Sequence, residues 1–113
     1  MIIVYFHGYN SSPNSDKVNI LKKNFGEKVY AFHADIDPEI AIENVGHNID
    51  MVLMNDVHKD EHVIFVGTSL GGWLASKMSE IYNVPAIIIN PSVDPKNSLQ
   101  KYGIDLAIRN KYD

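Results

Sequence analysis

The chain has 113 residues, the size of a single domain, and its 45% hydrophobic and 21% charged content is ordinary for a globular protein. With 10 basic and 14 acidic residues the formal net charge is -4, which argues against nucleic-acid and anionic-membrane partners. The chain has no cysteine, so disulfides and thiolate metal sites are excluded, and we expect a reducing compartment, the cytoplasm.

The first element of the chain is predicted to be a buried strand. Residues 2–6 (IIVYF) are apolar on both faces, as in a parallel strand, and the run is far too short to span a membrane. Apolar residues at helical spacing over residues 16–25 then predict a helix, which Gly26 is placed to end. Residues 29–32 (VYAF) follow as the second strand.

Two longer helices are predicted in the middle of the chain, separated by a third strand over residues 62–67. The first begins at Asp37, the N-cap, with Pro38 in its first turn. The buried faces are marked by apolar residues at helical spacing: Ile42, Val45, Ile49, Val52 and Leu53 in the first helix, and Leu70, Trp73, Leu74, Met78 and Ile81 in the second. Residues 86–90 (AIIIN) form the fourth strand.

The C-terminal segment carries weaker signals. Leu99 and Tyr102 suit a short helix that ends at Gly103. Apolar and polar residues alternate over residues 104–109, which predicts a half-buried strand. We expect this segment to cover the edge of the strand over residues 86–90, or else that edge to join a homodimer or a protein partner.

The alternation of strands and helices predicts an α/β fold with three layers, α/β/α, and a mainly parallel sheet of four to five strands. We expect residues 1–113 to form one such domain. Each predicted strand is followed by a polar loop: HGYN, HADID, GTSLGG and NPSVDP. Because the carboxyl ends of parallel strands share one edge of the sheet, these four loops should meet there and form any site.

Gly67, Ser69 and Gly71 have the spacing G-x-S-x-G between a predicted strand and a predicted helix. Small residues on either side of a serine allow a sharp, strained turn from which the hydroxyl projects, as a nucleophile does. The N-terminal amides of the next helix would point at an oxyanion formed there. The alternative is a plain helix-start turn with Ser69 near the N-cap.

A second feature, His7 followed by Gly8, ends the first predicted strand. Gly8 permits close approach of the backbone, so the amide of Tyr9 is expected to serve as an oxyanion donor beside that of Leu70. The alternative is an ordinary glycine turn.

Three segments, YFHGYNSSPNSDK, GTSLGGWLA and NPSVDP, resemble matching segments of the YqiA-type bacterial esterases, a branch of the α/β-hydrolase superfamily. They occur in the same order and at similar separations, and the likeness runs from Ile2 to about Tyr102. It implies an α/β-hydrolase core, shortened at the C-terminus, that hydrolyses esters through an acyl-serine. It also implies Ser69 as the nucleophile and the Tyr9 and Leu70 amides as the oxyanion hole.

The chain departs from this pattern in its histidines. All five precede Ser69, whereas in the superfamily the general-base histidine follows the nucleophile. Without a base, a serine hydroxyl is a poor nucleophile at neutral pH. His7 is the candidate base, unless it only orders its loop, and His33 is a more distant alternative. We expect the other three to be solvated: His47, His58 and His62.

Asp94, after the fourth predicted strand, is the candidate acid that would orient an imidazole, and it is equally suited to capping the segment that starts at Pro95. Asp35, Asp37 and Glu39 alternate after the second strand, but a helix start divides them between loop and first turn. We therefore expect no metal there, and no cofactor.

Two functions follow from these residues. The first is a serine esterase that acts on a small ester or thioester, with a base from His7, His33 or a partner chain. The second is a catalytically silent hydrolase-like module that binds a small acyl ligand or a protein through the same cleft. The complete elbow favours the first function, and the absence of a histidine after Ser69 favours the second.

Overall fold

A computed structural model describes residues 1–112, apart from the side chains of Glu27 and Asp56. The strands are β1 (Ile2–Phe6), β2 (Val29–Ala31), β3 (Val63–Thr68) and β4 (Ala86–Ile89). The helices are α1 (Asp16–Phe25), α2 (Pro38–Leu53), α3 (Leu70–Tyr82), α4 (Pro95–Ser98) and α5 (Leu106–Arg109). Short 3₁₀ helices cover Gly26–Lys28, Asp56–His58 and Leu99–Tyr102. Among these residues, no helix combines the length and the apolar character needed to cross a bilayer.

The four strands form one parallel sheet in the order β2-β1-β3-β4. In register, Val4 lies beside Phe65, which in turn lies beside Ala86. The chain moves from β1 outward to β2 and then back across β1 to β3. Right-handed connections therefore place α1 on one face of the sheet and α2 and α3 on the other. This is the three-layer α/β fold that the sequence predicts.

The main core lies between the sheet and helices α2 and α3. Val4, Phe6 and Phe65 project from the strands, and the rings of Phe6 and Phe65 meet edge to face with centroids 5.4 Å apart. They pack against buried residues of the two helices: Ala41, Val45 and Ile49 of α2, and Leu74, Ala75 and Met78 of α3. These helices are therefore held to the sheet by the apolar faces that their spacing predicts.

One residue predicted for the inner face of α3 lies outside it. Ile81 is 59% exposed, because the buried stripe is centred on Gly71, Ala75 and Met78 and continues to Tyr82. Ile81 falls at the margin of that stripe. The Tyr82 hydroxyl instead reaches two acceptors on α2, the carboxylate of Asp50 at 2.6 Å and the carbonyl oxygen of Gly46 at 2.9 Å, which share its one proton.

The opposite face of the sheet is only partly covered. Helix α1 lies against β2, whereas Ile87 and Ile89 on β4 are 51% and 45% exposed. Within residues 1–112, β4 pairs only with β3, so its outer edge carries no further strand. A homodimer or a protein partner at this edge stays a prediction.

The strand predicted over residues 104–109 is wrong, because this segment contains the short helix α5. The carboxylate of Asp105 accepts a hydrogen bond from the amide of Ala107 at 3.2 Å, which caps a helix start. Arg109 then ties the segment to its surroundings by donating to the carbonyl oxygens of Ile104 and Lys96, at 2.9 Å each. The preceding turn is as predicted: a 3₁₀ helix over Leu99–Tyr102 ends at Gly103, where φ is 74°.

The last described residues cross to the start of α2. The hydroxyl of Tyr112 donates to the carbonyl oxygen of Ile36, and its buried ring meets Trp73 with centroids 4.7 Å apart. Lys111 forms an ion pair with Asp37 at 2.7 Å. This C-terminal segment thereby becomes one wall of the cleft at the carboxyl edge of the sheet.

Candidate active site

Ser69 is the single residue between the end of β3 and the start of α3. Its backbone has φ 52° and ψ -122°, a conformation that costs a non-glycine residue free energy and persists only where its neighbours enforce it. The enforcing bonds are present: the Ser69 amide donates to the carbonyl oxygen of Ile89 at 3.1 Å, and its own carbonyl oxygen accepts from Gly72 and Ser92. The serine is held in this turn while its side chain stays exposed.

The two glycines that flank Ser69 lie too close to the backbone for any side chain to fit. A Cβ atom on Gly71 would lie 2.0 Å from the carbonyl oxygen of Phe6, and one on Gly67 would lie 2.3 Å from that of Gly71. No side chain fits at either position without movement of the backbone. The G-x-S-x-G spacing therefore brings the start of α3 against the end of β1, as a nucleophile elbow requires.

Two free amides adjoin the serine. A Cβ atom on Gly8 would lie 3.4 Å from Cβ and 3.8 Å from Oγ of Ser69, so the loop that carries Tyr9 passes directly beside the hydroxyl. Leu70 is the first residue of α3, where amides have no partner within the helix. Among the backbone hydrogen bonds of residues 1–112, neither the Tyr9 nor the Leu70 amide donates. Both are thus free to bind an oxyanion, and the positive end of the α3 dipole favours one there.

The geometry of His7 does not suit a general base. Its Nε2 accepts from the amide of Ala34 at 3.1 Å, so the ring proton lies on Nδ1, which donates to the carbonyl oxygen of Gly8 at 2.9 Å. The side chain is 7% exposed. With both nitrogens bound to the main chain, His7 ties the loop after β1 to the loop after β2, the loop-ordering alternative.

The other predicted acid and base candidates also lie apart from the hydroxyl. His33 is exposed, and its ring stacks on that of His7 with centroids 5.8 Å apart. The carboxylate of Asp94 accepts from the side-chain amide of Asn97 at 2.7 Å, and its main-chain oxygen accepts from Asn97 and Ser98 at the start of α4. Within the part of the chain that the structure describes, the Ser69 side chain caps no amide of α3, and the side-chain hydrogen bonds of His7, Asp94 and Ser98 go to groups other than its Oγ.

The acidic residues after β2 have structural partners. Asp35 accepts from the amide of Asp37 at 2.8 Å, and Asp37 caps α2 by accepting from the amide of Glu39 at 3.0 Å. The hydrogen bond from Lys111 lowers the pKa of the Asp37 carboxyl and raises that of the Lys111 amine. These carboxylates therefore fasten the start of α2 to the C-terminal segment.

The remaining histidines differ in one respect from expectation. His47 and His62 are exposed, as predicted, whereas His58 is half-buried and its Nε2 lies 2.6 Å from the hydroxyl of Tyr30. This bond joins the segment before β3 to β2 at the amino edge of the sheet. It is remote from the loops that surround Ser69.

A cavity of about 350 Å³ opens next to the two free amides. Its rim is formed by the loops after β1 and β2, including Tyr9 and Asp35, and its interior by side chains of α2, α3 and the C-terminal segment: Ile36, Pro38, Ala41, Trp73, Leu74 and Tyr112. Ser69 itself lines two more polar grooves, of about 370 and 230 Å³, which Tyr9 also lines. The four loops predicted to meet at the carboxyl edge of the sheet do contribute to this group of pockets.

Sequence reasoning did not place Tyr102 at the site. Its ring lies 4.6 Å from that of Tyr9, centroid to centroid, and both tyrosines line the grooves that contain Ser69. The only local signal was the helix end at Gly103, which fixes the backbone beside Tyr102 without indicating the direction of its ring.

Comparison with known proteins identifies the family to which the chain belongs. The chain matches the uncharacterised protein family UPF0227 over residues 2–110. Two curated UPF0227 proteins, from Vibrio atlanticus and, under the name YcfP, from Salmonella paratyphi B, are 24% and 21% identical over 106 and 109 residues. These alignments cover 87% and 88% of the chain but 55% of each relative, so the chain spans about half the length of the curated relatives it matches.

A solved structure shares the fold. The mouse alpha/beta hydrolase domain-containing protein 10 superposes with a TM-score of 0.57 and 18% sequence identity, over 96% of this chain and 48% of the mouse chain. At this level of identity the likeness concerns the fold alone. The α/β-hydrolase architecture expected from the sequence is confirmed.

Proposed function

Because this chain belongs to the uncharacterised protein family UPF0227 and has an α/β-hydrolase fold, we propose that it is a serine hydrolase of small esters or thioesters. The observation that carries the proposal is the backbone of Ser69, held at φ 52° with an exposed hydroxyl beside two amides that have no acceptor among residues 1–112. A helix-start turn needs no such strain.

In the proposed reaction, Ser69 Oγ attacks the acyl carbon while its proton passes to a general base. The carbonyl oxygen becomes an oxyanion that accepts hydrogen bonds from the Tyr9 and Leu70 amides. Collapse of this intermediate breaks the bond to the alcohol or thiol, which leaves with the proton from the base. Water then attacks the acyl-serine by the same sequence and releases the acid.

We assign the general base to a partner chain. His7 has both ring nitrogens bound to the main chain, and the His33 ring stacks on His7 rather than bonding to Ser69. Among residues 1–112 the chain then supplies the nucleophile and the oxyanion hole.

The silent binding module is the second candidate. It is favoured by the candidate bases and acid, because His7, His33 and Asp94 bond to or stack on groups other than Ser69. A nucleophile without its base loses several orders of magnitude in rate, although an intact oxyanion hole leaves some activity. In this case the cleft would bind an acyl ligand or a protein without turnover.

Chemical rescue distinguishes the two candidates. The rate at which a fluorophosphonate labels the protein is measured with and without added imidazole, which can replace a missing histidine. The hydrolase predicts labelling that imidazole accelerates and that Ser69→Ala abolishes. As the matched control, Ser76→Ala removes a hydroxyl from α3 that lines neither the cavity nor the grooves and should leave labelling unchanged. A folded protein that is not labelled even with imidazole would support the binding module.

A further inference from the structure

We infer that the 350 Å³ cavity binds the acyl part of the substrate, and that this part is an uncharged, medium-length aliphatic or aryl group. This inference rests on the proposed function for the identity of the site. It goes further in naming the substrate class and the residues that select it.

The position of the cavity sets the orientation of a substrate. Tyr9 and Leu70, whose amides are free, both line the cavity, and both also line a groove that contains Ser69. When the acyl carbon of a substrate lies at Ser69 and its carbonyl oxygen accepts hydrogen bonds from these two amides, the cavity lies on one side of that carbon. The grooves beside Tyr102 lie on the other side. The cavity is the more apolar side, so it takes the acyl group, and the alcohol or thiol leaves through the more polar grooves.

The interior of the cavity is lined mainly by apolar side chains. Pro38, Ala41 and Leu74 are buried, and the ring of Tyr112 closes the wall against Trp73. Apolar walls of this kind favour aliphatic or aromatic groups, because each buried methylene gains about fourfold in affinity. The phenol of Tyr112 is already bonded to the carbonyl oxygen of Ile36, so it offers no free donor to a polar substrate.

The charges around the cavity argue against an anionic acyl group. No lysine or arginine lines it among the described residues, and the nearby Lys111 is paired with Asp37. The carboxylate of Asp35 lies on the rim. The polar side chains Asn10, Ser11 and His33 belong to the rim loops, so a negative group among the apolar side chains of the interior would lose its water without gaining a partner, which is unfavourable.

The volume limits the length of the chain. About 350 Å³ corresponds to roughly a dozen groups of the size of a water molecule. A straight chain of about eight to ten carbons would fill the space, which Ala41 and Tyr112 help to line. In longer chains, the additional carbons would not increase the binding affinity.

Binding is measurable without turnover, because Trp73 is the only tryptophan in the chain and lines the cavity. Methyl ketones of about four to about twelve carbons are titrated while Trp73 fluorescence is recorded. Affinity should rise about fourfold per methylene and become constant at about ten carbons. Octanoate should bind at least about tenfold more weakly than the ketone of equal length, because its charge is not compensated.

Two variants should change, in opposite directions, the chain length at which affinity stops rising. Ala41→Phe fills the cavity and should weaken the longer ketones at least about tenfold, whereas Tyr112→Ala opens it and should extend the rise to longer chains. Ala107→Phe adds the same ring at an exposed position on α5 and should bind like the wild type.

The result that overturns the inference is an affinity that does not depend on chain length, or one that both cavity variants leave unchanged. Ser69→Ala separates this outcome from failure of the proposed function, because it removes the nucleophile and leaves the cavity intact. Suppose that ketone affinity still depends on chain length in Ser69→Ala, but that fluorophosphonate does not label the wild type. The acyl cavity would then stand, and the hydrolase proposal would be rejected. Labelling without a chain-length profile would reject only the acyl cavity.

Discussion

Gly71 lies against the main chain of Phe6 so closely that a Cβ atom there would come within 2.0 Å of the Phe6 carbonyl oxygen. This contact joins the first turn of α3 to the end of β1. Together with the pairing of β1 and β3, in which Phe6 lies beside Gly67, this contact places the loop of Gly8 and Tyr9 beside Ser69. The oxyanion amides and the nucleophile are thus positioned by two paired strands and by the close approach of α3 to β1.

Gly71→Ala is expected to disrupt the elbow. The added methyl group meets backbone atoms that cannot rotate away, so we expect a loss of about 3 kcal/mol in the free energy of unfolding, measured by urea titration. The control is Gly46→Ala in α2, where the added Cβ would meet side-chain atoms of Met78 and Tyr82 at 3.5 Å, an ordinary contact distance. That variant should be neutral or gain up to about 1 kcal/mol from helix propensity. Equal losses in both variants would contradict the steric role of Gly71.

The hydrogen bonds of His7 predict its tautomer. Because Nε2 accepts from Ala34, the proton should lie on Nδ1, and two-dimensional ¹H–¹⁵N NMR of the ring distinguishes the two forms. His7→Gln should lower the labelling rate of Ser69 by no more than about tenfold, against about 10⁴-fold for a true base. A proton on Nε2 together with the larger loss would restore His7 as the base.

Elements with strong local signals were predictable from the sequence. Helix α1 occupies the predicted residues 16–25, and α2 begins at Pro38 after the Asp37 cap, because capping and helical spacing are encoded within a few neighbouring residues. The elbow around Ser69 was predictable for the same reason. Its two glycines are needed for contacts within the strand-turn-helix unit and with the adjacent β1.

Features that depend on distant contacts were not predictable. Tyr112 meets Ile36, 76 positions away, and the ring of His7 is bound by Ala34, 27 positions away. Neither spacing leaves a pattern in the sequence. The strand prediction for residues 104–109 was wrong for a different reason. The alternation of apolar and polar residues there suits a strand, but the Asp105 cap favours a helix, and the segment forms a helix.

Alkaline pH is expected to destabilise the protein through Tyr82. Burial and then the hydrogen bond to Asp50 raise the pKa of its phenol from 10.0 to about 12. The unfolded chain therefore ionises first, and the free energy of unfolding should fall as the pH rises from about 10 through about 12. Tyr82→Phe should lower stability by about 1 to 2 kcal/mol at neutral pH and flatten this part of the profile, measured by urea titration. A profile unchanged by the substitution would contradict the assignment.

The exposed isoleucines of β4 predict self-association. The open strand edge and the side chains of Ile87 and Ile89 offer a surface that a second copy can cover by antiparallel pairing about a two-fold axis. Sedimentation velocity should show a dimer that grows with concentration and is lost in Ile87→Lys. The control Ile20→Lys changes an isoleucine that is equally exposed on α1 and should leave the dimer intact. A wild type that stays monomeric at all concentrations would contradict this prediction.

The most direct test of the account is a crystal structure of the protein after reaction with a fluorophosphonate in the presence of imidazole. The phosphorus should be bonded to Ser69 Oγ, with its oxygen about 2.7 to 3.1 Å from the amide nitrogens of both Tyr9 and Leu70. A folded protein that forms no adduct, or an adduct whose oxygen points away from these amides, would contradict the assignment of Ser69 as a nucleophile.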